Sequence, residues 1–218
     1  MAPSPLNAVQ AQRAELEARN GRLLFRRALE LIPASRGEPD GDGYRLRLNA
    51  GIIRSLHKKA MHELCPSAGW YREEQVRVGL HMPPEGRYVS GLVDDMCERA
   101  YAESDWDALT TTAYVFWRLN WIHPFRDGNG RTSRAVLMIS LCVRLGFFPQ
   151  GTPTIEEYLI ENRQRFVDAL RDADEAEKCS VTDVTKMQLL LDDLLKLQLK
   201  VPLQIPYSPQ QNDAEGLA

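Results

Sequence analysis

Residues 123 to 134 read HPFRDGNGRTSR and place a histidine, an acid, two glycines and two spaced arginines around one asparagine. An imidazole, with an ordinary pKa near ~6.5, is the side chain best suited to remove a proton at neutral pH, and His123 precedes the glycines by a few positions. Gly128 and Gly130 would let a phosphate reach the main chain without a side chain intervening, above all where the loop opens a helix whose first N–H groups lack acceptors. Arg131 and Arg134 are three apart, so in a first helical turn they share a face and can hold further phosphates. A polyphosphate is therefore expected in preference to a single phosphate. Asp127 would repel that anion directly, but a carboxylate beside a polyphosphate is a usual anchor for magnesium. The set points to a base that activates an incoming hydroxyl beside a magnesium polyphosphate.

Each piece alone has a plainer reading. A histidine before proline ends a helix, Gly-Asn-Gly makes a turn, paired arginines form a solvated face, and an aspartate caps a helix. It is the ordered combination that points to chemistry. Pro124 and Phe125 are read as structural, the ring anchoring the loop in the core. His57, His62 and His81 stand at no metal-ligand spacing and are read as surface or helix-end residues.

The elements that must position this loop are almost all helical. Apolar spacing predicts a helix from about Ala8 to Ile32, a loop over SRGEPDGDG at 35–43, and a helix carrying Ile52, Ile53, Leu56, Ala60, Met61 and Leu64. The period then changes: QVRVG at 75–79 alternates as a strand or hairpin arm does, and HMPPEG at 81–86 is a turn or extended loop. Val89, Leu92, Val93, Met96, Cys97 and Ala100 form one helical face, and Asp107 to about Ile122 makes another helix. RAVLMISLCVRLG at 134–146 is apolar on every side, as suits a helix buried in a bundle. Thr154 and Glu157 form a capping box for a helix that carries Ile155, Leu159, Phe166 and Leu170 inward. There, Tyr158 and Asn162 either face a ligand or serve packing and solvation. VTDVTKMQLLLDDLLKLQLK makes a last helix that breaks at Pro202, before a polar tail from about Tyr207. The expected division is an N-terminal helix and loop (1–45), a catalytic core (46–175), and a C-terminal helix with tail (176–218).

With 218 residues, 44% hydrophobic and 26% charged, the chain suits a single globular domain with helical additions. A formal charge of −3 argues against general nucleic-acid binding. Four widely spaced cysteines show neither a CxxC pair nor a disulfide framework, so a reducing compartment fits best. No secretory leader and no run of ~20 apolar residues is seen, so the expected setting is cytoplasmic and off the membrane, or reached by an unrecognised export signal.

HPFRDGNGRTSR resembles the signature of the Fic family, His-Pro-Phe-x-Asp/Glu-Gly-Asn-Gly-Arg-x-x-Arg, with every specified position matched. GWYREEQVRVG and HMPP resemble the family's flap, and IENRQRFVDAL the helix that follows, so the likeness covers roughly residues 50 to 175. It implies a mainly α fold, a helical bundle with a short β-hairpin flap, and transfer of AMP from ATP to a protein hydroxyl with release of pyrophosphate. His123 would deprotonate a target Tyr, Ser or Thr, and Asp127 would hold Mg2+. Asn129 with the amides of Gly128 and Gly130 would cradle phosphate oxygens, while Arg131 and Arg134 hold the distal phosphates. The flap, including Val76, Arg77, Val78 and Gly79, resembles a β-edge that receives an extended target segment, its plainer reading being an ordinary hairpin.

Alternatives stay open. A relative that moves the terminal phosphate carries Gly-Asn-Lys where this chain keeps Gly130; a UTP or phosphocholine donor fits the same phosphate loop; a nucleotide-binding scaffold would not need His123. Many family members are restrained by a helix with the pattern Ser/Thr-x-x-x-Glu-Gly/Asn, whose glutamate pairs with the second motif arginine, here Arg134. Ser208 lies seven residues before Glu215, and Glu157 stands where Glu161 and Asn162 would require Ser or Thr. The expectation is that the chain runs without this brake or receives it from a separate inhibitory protein.

Overall fold

The computed structural model describes residues 5–34, 46–103 and 105–200, so the expected linker at 35–43, Pro202, and the tail with Ser208 and Glu215 lie outside the described residues. Among the described residues eight helices follow in order: α1 (Pro5–Ala34), α2 (Ala50–Ala60), α3 (Val89–Ala102), α4 (Ala108–Ile122), α5 (Asn129–Leu145), α6 (Ile155–Glu161), α7 (Arg163–Lys178) and α8 (Thr185–Lys200). A single 3-10 turn, Gly86–Tyr88, leads into α3. The mainly α expectation holds. Among the described residues no helix is long and apolar enough to cross a membrane.

Helices α4 and α5 form the centre, packed chiefly on one another. Asp107 starts α4 by accepting a hydrogen bond from the Thr110 amide at 2.7 Å, and the helix then buries Val115, Phe116, Trp117, Leu119 and Ile122. Each such side chain contributes about 1.5–3 kcal/mol on leaving water. The Trp117 indole stays satisfied inside by donating to Asp174 Oδ1 of α7 at 2.9 Å. Buried residues run along α5 from Ala135 to Cys142 and Gly146 closes it in the left-handed conformation, as an all-round apolar helix requires.

The terminal helices share this core. Leu24, Ala28, Leu31 and Ile32 of α1 and Met187, Leu190, Leu191 and Leu194 of α8 belong to the same buried cluster as α4 and α5. Fully buried Asn20 fastens α1 by donating to the His62 carbonyl at 2.6 Å, just past the end of α2. Buried Gln198 does the same for α8, accepting from the Ile155 amide at 2.8 Å and donating to the Pro149 carbonyl at 2.9 Å. The division placed at 175/176 falls inside α7.

Three local differences from expectation have physical causes. The hairpin is reduced to one antiparallel bridge, Val78 with His81, closed by two N–H···O bonds of 3.0 Å. The returning arm then meets Pro83 and Pro84, which have no N–H to continue a ladder, and the Gln75 side chain takes over by donating to the Pro83 carbonyl at 2.7 Å. The buried helix starts at Asn129 rather than 134, because the motif itself forms its first turn. The helix that starts at Thr154, with both halves of its capping box present, ends at Asn162, whose side chain donates to the Tyr158 carbonyl at 2.9 Å. Phe166 and Leu170 therefore pack from α7, and Asn162 is used as a helix terminator.

Candidate active site

The motif loop joins α4 to α5 and lines an open pocket of about 360 Å³ with His123, residues 126–131 and Arg134. His123 ends α4 with φ 49° and ψ 60°, a left-handed conformation that costs a non-glycine residue about 1–2 kcal/mol and needs local support. Its imidazole is held down to a pKa of about 4, first by burial, then by the Arg72 guanidinium, with His81 adding to the effect and a hydrogen bond to the Asn120 carbonyl opposing it. At neutral pH the ring is therefore uncharged and able to accept a proton.

Phe125 is completely buried and stacks on His57, ring centroids 3.7 Å apart and planes within 3°. His57 is not a surface residue: it is 1% exposed and its two nitrogens hold different parts of the chain. Nδ1 accepts from the Gly69 amide at 2.8 Å, so Nε2 carries the proton and donates to the Asp127 carbonyl at 2.8 Å. Burial keeps His57 neutral, lowering its pKa against the opposing pull of Asp127. His62 is exposed beside Glu63, as expected, whereas His81 ties the flap to α4 by donating from Nε2 to the Trp121 carbonyl at 2.8 Å.

The asparagine has a structural role besides the one expected. Asn129 is 5% exposed; its Oδ1 accepts from the Phe125 amide at 3.0 Å and its Nδ2 donates to the Phe125 carbonyl at 2.7 Å. Its side chain therefore shapes the loop while the residue lines the pocket. The Gly128 amide donates to Asp127 Oδ1 at 2.6 Å. Gly128 adopts φ 78°, and a Cβ there would lie 2.5 Å from Met61 Sδ and 3.2 Å from His57 Nε2, so the missing side chain serves close packing against the core. An anion also meets the first turn of α5, where the amides of Asn129, Gly130 and Arg131 have no acceptor within the helix, together with the two arginines.

Arg131 Nη1 is buried without a hydrogen-bond partner, the kind of orphaned donor that a phosphate oxygen satisfies. Arg134 is half-buried, which lowers its pKa, and the Glu156 charge of α6 pulls the other way. The Asp127 carboxylate is exposed at the pocket rim. Among the described residues no group of three or more His, Cys, Asp or Glu could enclose a metal, but one hard carboxylate beside a polyphosphate site fits magnesium, which takes its remaining ligands from phosphate and water.

Residues 47–141 match the Fic/DOC family. Over that span the chain is similar to the Fic/DOC family. A protein from Drosophila persimilis named protein adenylyltransferase Fic is 31% identical over 180 residues, covering 79% of this chain and 34% of that protein. This chain thus spans about a third of that relative's length. Among solved structures, Fic-1 from C. elegans superposes with a TM-score of 0.63 at 22% identity, covering 84% of this chain and 49% of that one. BepC from Bartonella tribocorum, solved with bound AMPPNP, superposes with a TM-score of 0.53 at 16% identity, covering 83% and 86%. At such identities these two speak for the fold.

Two parts of this site were not legible beforehand. Helix α1 reaches the motif: Glu17 Oε1 lies 3.8 Å from Arg131 Nη2, and Arg13 Nη2 lies 3.7 Å from Asp127 Oδ2. In sequence these are only one more i, i+4 pair on a polar helix face. Arg72 is buried behind His123; a single arginine amid aromatic and acidic neighbours gave no signal. The flap residues Val76, Arg77, Val78 and Gly79 do not line the pocket, and Arg77 turns back to donate to the Gly79 carbonyl at 2.9 Å.

Proposed function

We propose that this chain transfers AMP from ATP to a hydroxyl group of a protein, with release of pyrophosphate. The observation that carries the reading is the neutral His123 facing the same pocket as the first turn of α5 and the unpartnered Arg131 Nη1. His123 takes the proton of the target hydroxyl as its oxygen attacks the α-phosphorus; the bond from that phosphorus to the bridging oxygen breaks, and pyrophosphate leaves. The free amides of the α5 first turn hold oxygens of the reacting phosphate, and Arg131 and Arg134 hold the leaving phosphates. Such fixed donors stabilise charge that grows in the transition state, each typically worth on the order of 3 kcal/mol. Magnesium held at Asp127 would supply further neutralisation of phosphate charge.

The proposed partner is a protein whose hydroxyl-bearing segment seats along the exposed flap edge at Val78, Leu80 and Met82. Cys65, Cys97 and Cys179 form no disulfide, which supports a reducing, cytoplasmic setting. A separate inhibitory protein remains part of the proposal, although Glu17 already brings one carboxylate to a motif arginine from within the chain. The test is incubation of the purified chain with magnesium, a candidate target extract, and ATP labelled in turn on the α- and the γ-phosphate. Label on protein from the α position only, with a mass gain of one AMP, is expected; label from the γ position would replace the reading with terminal-phosphate transfer.

A further inference from the structure

Arg72 is 3% exposed, and its guanidinium meets main-chain carbonyls on two separate pieces of chain. Nε donates to the His123 carbonyl at 2.8 Å and Nη2 to the Ile122 carbonyl at 3.1 Å. Nη1 donates to the Glu74 carbonyl at 2.9 Å, and Nη2 also donates to the Pro84 carbonyl at 2.6 Å. The Arg72 amide adds a bond to the Pro124 carbonyl at 2.9 Å. The carbonyls of residues 122, 123 and 124, at the point where α4 stops, are thus all held by one residue.

A helix C-terminus exposes carbonyls that lack partners and favours a nearby cation. That accounts for a buried arginine here, but not for its other two acceptors. Glu74 lies in the arm entering the flap and Pro84 in the arm leaving it, on either side of the Val78–His81 bridge. The planar fork closes the base of the flap and, from the same atoms, grips the main chain of His123 in its left-handed turn.

We propose that Arg72 is a positioning residue that joins the flap and the catalytic histidine into one rigid unit, so that a target segment seated on the flap meets the imidazole at a fixed distance. This rests on the reading of His123 as the base. A lysine at position 72 would keep the charge but lose the fork, since a point donor cannot reach both flap arms and the α4 end together. Displacement of a reacting group by about 1 Å can slow a reaction on the order of 100-fold. Arg72 does not line the pocket, so nucleotide affinity is expected to be set by other residues.

The experiment compares Arg72→Lys and Arg72→Met with Leu191→Ala, a cavity variant in α8 that lowers stability away from the site. For each, the melting temperature, AMPPNP affinity by calorimetry, single-turnover transfer rate and His123 imidazole titration by NMR are measured. Arg72→Lys should slow transfer about 100-fold with AMPPNP affinity within about threefold, and should shift the His81 and His123 resonances together while the His123 midpoint stays low. Arg72→Met should also raise that midpoint toward the ordinary ~6.5. If Arg72→Met does not fold, the lysine variant decides. Transfer in Arg72→Lys within about threefold of the parent, a loss no greater than in Leu191→Ala at equal folded fraction, or a parallel loss of AMPPNP affinity would each overturn the proposal. Normal transfer by His123→Ala would instead overturn the base assignment, and the joint movement of the His81 and His123 resonances would still report whether Arg72 couples the flap to the loop.

Discussion

From Ile122 to Pro124 the motif loop is gripped by buried Arg72, whose guanidinium takes the first two carbonyls and whose amide takes the third, whereas from Phe125 to Gly128 the supports from the core are neutral: a stacked histidine, an asparagine and a methionine. The difference matches what each half must do. Positive charge behind His123 helps keep the imidazole unprotonated. Neutral supports behind the anion half leave the field of Arg131 and Arg134 directed at the pocket, with Glu17 beside Arg131 and the Glu156 charge acting on Arg134. The two halves should therefore fail differently.

The largest effect is expected on the base side. His123→Ala should lower the transfer rate by about 100- to 10,000-fold, the usual range for a positioned general base, with AMPPNP affinity within a few fold. Calorimetry beside a labelled-ATP assay checks both, and a matching loss of affinity would merge the two halves into one. On the anion side, Arg134→Ala should weaken ATP about 10- to 100-fold, as loss of a charge-assisted hydrogen bond does, and AMP much less. Equal losses for the two ligands would remove Arg134 from the distal phosphates. His57→Leu, which keeps bulk but loses both hydrogen bonds, should weaken ATP about tenfold and leave the His123 titration in place. Movement of that titration would show that the neutral support also governs the base.

Acidity separates the halves more gently. Because His123 takes up its proton near pH 4 when folded and near ~6.5 when unfolded, the unfolded chain binds more protons between these values. Stability should fall as pH drops from about 6.5 to 4, while the acid limb of kcat/KM lies near 4 instead of 6.5. Melting curves and rate profiles across that window test this. The smallest effect is expected from Glu17→Ala: the Arg131 pair is partly exposed, such pairs are worth about 0–1 kcal/mol, and ATP affinity should rise by at most about fivefold. A much larger activation would mean that α1 restrains more than one charge pair.

The sequence was most informative where local rules suffice. The capping box at Thr154, the Asp107 start of α4, the all-round apolar α5 and the paired arginines on its first turn could be read because each depends on residues within a few positions. The structural role of Asn129 was missed because an asparagine can bond its own loop as well as a ligand, and only the buried position of Phe125 reveals the first. Arg72, His57 and Glu17 act across 51, 70 and 114 residues of chain, respectively, and no spacing pattern reports such meetings. The short flap follows from Pro83 and Pro84, whose effect depends on which residue stands opposite.

The left-handed backbone at His123 bears on the choice of an inactive form for trapping a bound target. Alanine at that position would remove the base and also favour release of the turn, letting the end of α4 drift and blurring the docking surface that the trap is meant to preserve. Asparagine tolerates this region of backbone space better than other non-glycine residues and has no proton to exchange at neutral pH. A chain carrying His123→Asn should therefore hold the proposed substrate in the geometry of the parent protein, and it is the better bait for identifying the target.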